Sequence, residues 1–225
     1  MTVDSSTNGA GTAIASVAEA PPAPPKDPVK DLWQSRYEGK TEVLAYPWSD
    51  LAMPAGFMPI YIHPEVSIQK LADKISQLAC PLPQNPPDGF KQEEYWAKMV
   101  SVWVKNYQTE LRFLASPEGW FITENSQLSP YRGKHRKDIH RDLLNQAAEM
   151  MGFKAYLTFV LGFRGADNGS WPDTEGSTQL SGQWGNADMD VGWGMSGNFH
   201  AHKMPTGDAP FSLVGVRSIR RLRPY

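Results

Sequence analysis

Two short runs near the C-terminal end hold the side chains best suited to gripping a metal: Asp188-Met-Asp190 and His200-Ala-His202. In a strand, residues two apart share a face, so each run offers two ligands to one surface. With the turn placed at Gly194-Met195-Ser196, Asp190 stands opposite His200 and Asp188 opposite His202. Directly opposed residues have Cβ atoms about 5 Å apart. Two carboxylates and two imidazoles at that spacing suit Zn2+, Fe2+ or Mn2+, and a metal-dependent enzyme is therefore the alternative reading. The competing account is a charged cross-strand ladder on a solvated face. A one-residue slip of the register separates the set.

The other chemistry lies in the cations. Arg132, Lys134, Arg136, Lys137 and Arg141 fall within ten residues, and Arg217, Arg220, Arg221 and Arg223 within the last nine. Asp138 is the one acid in either stretch. The remaining 13 cations face 23 acids, so a net charge of −2 conceals two basic patches on an acidic body. Such polarity speaks of partners rather than of fold. The first patch opens an expected helix, where cations oppose the helix dipole and free backbone N–H groups favour an anion. Arginine also suits bidentate contacts to phosphate or carboxylate. Five or six phosphate contacts predict a slope of about −4 to −5 in log K against log salt. No RNP box, zinc-finger spacing or suitably placed GXXG clamp accompanies the patches, so the expected contacts are to nucleic-acid backbone, not to bases. A solvated face, pairing with the acidic body, and a salt-bridge surface between copies are the other uses open to these residues.

No nucleophile elbow, P-loop or dinucleotide-binding glycine pattern is present, and no catalytic residue is assigned. The string Gly194-x5-His200-x-His202 resembles half of the cupin metal motif. The glutamate that should follow is absent from Met204–Asp208, and no second motif comes after it, so the family is not carried over. No cofactor is expected. Cys80, next to Pro81, reads as a small buried hydrophobe, and His63 as a capping or packing residue.

These side chains need elements to hold them. Residues 1–30 are rich in Ala, Ser, Thr, Gly and Pro, with five prolines in Ala20–Pro28. That composition reads as a flexible arm with a stiff polyproline stem. From about residue 31, where Trp33 is the first aromatic, the chain reads as one domain to residue 225. Residues 31–64 look like an extended, irregular entry. Ile68, Leu71, Ala72, Ile75, Leu78 and Ala79 recur at helical spacing. A second helix is expected over about 92–115, and a third over about 134–151 with Gly152 as its stop. Residues 153–163 carry large apolar side chains at odd positions, the period of a strand. Three further strand-like pieces fall at about 187–193, 197–204 and 210–222. Nine of the 19 glycines lie between Gly162 and Gly197, as turns between strands would require. Tryptophans in the stretch 169–197 read as core aromatics between those turns.

The expected fold class is therefore α+β: a helical middle (about 65–151) packed on a mainly antiparallel C-terminal sheet (about 153–222). A single cysteine excludes an internal disulfide. With no secretory pattern and no long apolar run, the protein is expected to be intracellular, either cytoplasmic or within an assembled particle. The leading expectation is a non-enzymatic structural protein, capsid- or nucleocapsid-like. It would associate with itself and contact nucleic acid through the nine basic residues, without a membrane.

Overall fold

A computed structural model describes residues 26–39, 41–48, 51–78, 99–112, 117–165, 170–194, 197–204 and 212–221. Within them helices and two sheets alternate, an α+β arrangement. Of the expected arm over residues 1–30, residues 1–25 lie outside the described residues, as does Cys80, whereas Pro28–Lys30 are helical.

Helix α1 (Pro28–Arg36) replaces part of the expected irregular entry. Its start is local chemistry. Asp27 accepts a hydrogen bond from the Lys30 N–H at 2.9 Å, Pro28 occupies the first turn, and Asp31 faces the positive end of the dipole. Strand β1 (Phe57–Ile62) and helix α2 (Ile68–Leu78) follow. The apolar stripe of α2 is as its spacing predicts, with Leu71, Ala72 and Ile75 buried. Between them His63 is also buried and doubly bonded. Its Nδ1 accepts from the Glu65 N–H at 3.1 Å, so Nε2 carries the proton given to the Glu42 carbonyl at 3.0 Å.

The expected helix over 92–115 is seen as α3 (Val100–Tyr107). It gives way to strand β2 (Leu111–Arg112), which pairs with Gln183 and Trp184. Strand β3 (Gly119–Glu124) was not anticipated; it runs antiparallel to β1. Helix α4 (Arg136–Asn145) ends earlier than expected. Ala147 takes a left-handed φ of 49°, and Glu149–Met150 form strand β4.

Residues 153–163 are not a strand but most of helix α5 (Phe153–Gly165). Every residue from Phe153 to Phe163 is buried apart from half-buried Lys154. A helix apolar on all sides belongs inside a protein, and that is where α5 lies, touching α2 and β1. The odd-position pattern arose because nearly every position is apolar, Tyr156 and Val160 included. A Cβ on Gly162 would stand 2.8 Å from Met58 Cε and 3.2 Å from the Trp33 ring, so a larger residue would require the Met58 end and the Trp33 ring to shift.

Strands β5 (Ser177–Trp184), β6 (Ala187–Trp193) and β7 (Phe199–Met204) form an antiparallel meander. With β2, and with β8 (Val214–Val216) added parallel to β5, they make one sheet. The second sheet has the order β1-β3-β9-β4, where β9 is Ser218–Arg220. Two of the tryptophans of 169–197 are core, as expected: Trp171 stacks on Trp193 at 4.6 Å and both are buried, while Trp184 is only partly buried against the core.

Between β8 and β9 the chain passes from one sheet to the other in a single residue, Arg217. The side chain there is fully buried. Its Nη2 and Nε donate to the two oxygens of Asp173 at 2.8 and 3.1 Å. Nη2 also donates to the Ser126 carbonyl at 2.9 Å, and the guanidinium lies 4.3 Å over the Phe159 ring. Asp173 further accepts from Tyr156 at 3.0 Å and Thr178 at 2.8 Å. Burial, and then the Asp173 charge, hold the Tyr156 phenol well above its ordinary pKa, so it stays a donor.

Removing one partner of a buried pair strands the other charge, which typically costs about 3–5 kcal/mol. Arg217→Ala is therefore expected to lower the unfolding free energy by about that amount, seen as a lower urea midpoint at unchanged slope. Arg217→Met combined with Asp173→Leu should recover part of the loss. A single-site effect below about 1 kcal/mol would show that the pair does not hold the crossover.

Candidate functional site

The sequence placed its metal candidates on one hairpin and its first cation patch on one helix. The structure brings parts of both sets onto one face. Along β6, Met189, Val191 and Trp193 point into the core, so Asp188 and Asp190 point to the opposite face, as do His200 and His202 of β7.

The register differs from the expected one by two residues. Asp190 pairs with His202, Gly192 with His200, and Asp188 with Met204. The turn is longer than Gly194–Ser196, since the Gly194 N–H closes it by donating to the Asn198 carbonyl at 2.7 Å. Asp188 therefore has no imidazole opposite it. It accepts instead from Arg136, the first residue of α4, and from Gln179 Nε2 at 3.3 Å. The four-residue ligand set does not assemble. Among the described residues no three or more His, Cys, Asp or Glu side chains are grouped to hold a metal ion.

Asp190 is buried. One of its oxygens lies 3.4 Å from His202 Nδ1, and Oδ1 has no hydrogen-bond partner. The His200 and His202 rings are 5.3 Å apart. Gly192 makes room for this: a Cβ there would sit 2.5 Å from His200 Nε2. Desolvation, followed by the neighbouring His202, pushes the His200 pKa below its ordinary value of 6.5.

Next to the aspartates opens a cleft of about 470 Å3. Arg136 and His140 reach it from α4, one turn apart and hence on one helical face. Ile139 and Leu143 on the adjoining face bury against Val216 and Ala148 and so fix the rotation of the helix. Arg112 arrives through the pairing of β2 with β5, where it stands opposite Gln183. A register shift between Leu180 and Gln183 puts Ser181 and Gly182 on the cleft wall, the kind of irregularity that re-aims side chains. Among the described residues lining the cleft, Asp188 is the one carboxylate.

The nine cations have different fates. Lys134 pairs with Asp142 and Arg141 with Asp138, both at 2.9 Å and both at the surface. Lys137 is exposed. Arg132 donates to the Glu175 carbonyl at 3.1 Å. Of the C-terminal group, Arg217 is wholly internal, so its charge meets nothing outside the molecule. Arg220 lies over Phe57, and exposed Arg221 lies over Phe121; both belong to the β1-β3-β9-β4 sheet and its edge. Arg223 lies outside the described residues. Arg112 and Gln179 were not singled out from the sequence, because Arg112 fell in an expected helix and strand β5 was not foreseen.

No protein-family model, curated protein or solved structure matches the chain. No helix among the described residues is long and apolar enough to cross a membrane.

Because the folded pKa of His200 lies below the unfolded one, its neutral form is favoured by folding. That stability is present above about pH 6.5 and erodes as the pH falls through the window beneath it. His200→Gln is therefore expected to lose less stability than the wild type between about pH 7.5 and pH 5. Urea midpoints measured across that range check it; parallel profiles would show that His200 does not titrate against the fold.

Proposed function

We propose that this is a non-enzymatic structural protein that associates with copies of itself and contacts nucleic acid through backbone phosphates. The contact surface is the outer face of α4 and the cleft beside it. The carrying observation is the convergence of Arg112, Arg136 and His140, drawn from two elements, on one open cleft whose single described carboxylate is already held by Arg136. Exposed Lys137 and Arg141 adjoin it on the same helix, and exposed Lys134 lies just before the helix starts.

The internal pairs of the α4 cations do not close this surface equally. Exposed ion pairs contribute only about 0–1 kcal/mol, so a phosphate can take the place of Asp142 on Lys134 or of Asp138 on Arg141. The Arg217–Asp173 pair is different, being buried on both sides. The reading therefore rests on Arg132, Lys134, Arg136, Lys137 and Arg141, with Arg112 and His140 added, and Arg217 is left out of it. Arg220 and Arg221, over Phe57 and Phe121, are left out of it as well.

Anisotropy of a labelled single-stranded RNA, titrated across about 50–400 mM salt, tests it. About five phosphate contacts give an expected slope near −3.5 in log K against log salt for a single strand. Replacing Lys134, Lys137 and Arg141 together by Ala should weaken binding and reduce that slope by about 2. Absence of binding at about 50 mM salt, or a slope unmoved by the triple substitution, would overturn the assignment.

A further inference from the structure

A second open groove, about 300 Å3, lies beside α1. Val29, Tyr46, Trp48, Leu51, Met53 and Pro59 line it, and Asp27 and Pro28 belong to the same wall. Tyr46 stands edge-on to Trp48 at 5.7 Å and to Trp120 at 5.0 Å, so the aromatic surfaces are set at steep angles rather than stacked flat. The Asp27 carboxylate is committed on both oxygens, to the Lys30 N–H at 2.9 Å and the Tyr46 N–H at 2.8 Å. Among the described residues of the lining the one charged group is therefore tied to the backbone, and the others are apolar or aromatic.

This composition matches one kind of occupant. Aromatic-lined grooves recognise proline-rich segments, because a polyproline helix is preformed and loses little entropy when it docks. The chain supplies such a segment: Pro21, Pro22, Pro24 and Pro25, within a stretch that ends at Lys26, one residue short of Asp27. We infer that the groove binds the Pro21–Pro25 segment of a second copy of this chain. The inference rests on the self-association in the proposed function and supplies its contact.

The segment's own copy is disfavoured by geometry. A polyproline run of five residues extends about 15 Å, and each residue before a proline is held extended. Lys26 is the one residue between that run and Asp27, which is itself part of the groove wall, so a stiff run has little slack with which to settle beside its own root. The groove of a second copy carries no such tether. Because root and groove adjoin, a two-fold pair of copies can exchange segments reciprocally, making the same contact twice. A short proline contact is weak by itself, and its duplication raises the avidity.

Sedimentation velocity of the full chain from about 5 to 200 µM tests this, that range being suited to small, weak interfaces. The comparison is a variant in which Pro21, Pro22, Pro24 and Pro25 are all replaced by Ser. These changes lie outside the described residues, and a thermal melt checks that the fold is kept. The wild type should associate as concentration rises, and the variant should remain monomeric. Met53→Lys, in the groove wall, should also abolish association. A peptide spanning residues 18–27 in excess should dissociate the wild type and shift its tryptophan emission. Association that survives the proline substitutions would overturn the inference while leaving self-association standing. A wild type monomeric throughout would remove both. A monomer whose tryptophan emission changes in the proline variant would point to the segment's own copy and overturn the exchange.

Discussion

The Arg217–Asp173 pair is the constraint on which the two sheets depend. β8 runs parallel to β5 in one sheet and β9 antiparallel to β3 in the other, with one residue between them. A side chain at that crossing is covered from both sides. An unpaired guanidinium there would cost several kcal/mol of lost hydration. It is answered by both oxygens of Asp173, by backbone carbonyls of the loop after β3, and by the face of Phe159 on α5. Asp173 takes a left-handed φ of 56° to reach it, and its own N–H donates to the Gln127 carbonyl. An apolar replacement of similar shape can be as stable as such a pair. Its contribution is geometric: crossover, loop and central helix must adopt one mutual placement for all the donors to be satisfied.

Helix α5 shows where local pattern stops being informative. Amphipathic α2 declares itself, because a stripe of Leu71, Ala72 and Ile75 needs a polar reverse side. A helix wrapped on all sides has no reverse side. Its sequence is then a run of apolar residues from which either period can be drawn, and 13 residues are too many for an ordinary strand. Strand β6 was legible because glycines bound it and its length is short. Strands β1 and β3 were not, since they pair with each other across a long stretch of chain: Met58 lies opposite Thr123. The general α+β class survives these errors because it requires only the helical middle and a β-rich end.

The candidate site was legible as residue types and illegible as a constellation. Asp188, Asp190, His200 and His202 do share a face, as alternation requires. Their pairing depended on a turn whose length the residues Gly194–Asn198 do not announce. Two extra residues in that turn exchange the partner of every member, and Asp188 is left to Arg136, 52 positions away. Nothing near either residue signals that contact. It follows from α4 laying Ile139 and Leu143 on Val216, which carries the start of the helix to the sheet.

Charge counted along a sequence and charge available to a partner are different quantities, and the fold decides how one becomes the other. A cation whose counter-ion is exposed can exchange it; one whose counter-ion is buried cannot, because the abandoned carboxylate would be stranded in a low dielectric. Arg217 and Lys134 mark the two limits. Arg136 lies between them, its side chain 36% exposed and its partner Asp188 7% exposed. A guanidinium has five N–H donors in a planar fork. Arg136 need not leave Asp188 in order to meet an anion in the cleft, since the aspartate occupies one edge of the fork. Held by that edge, the group loses less rotamer freedom on binding than a free surface arginine would. The buried acid then acts as an orienting support for the cation, and the pairing that neutralises Arg136 also aims it.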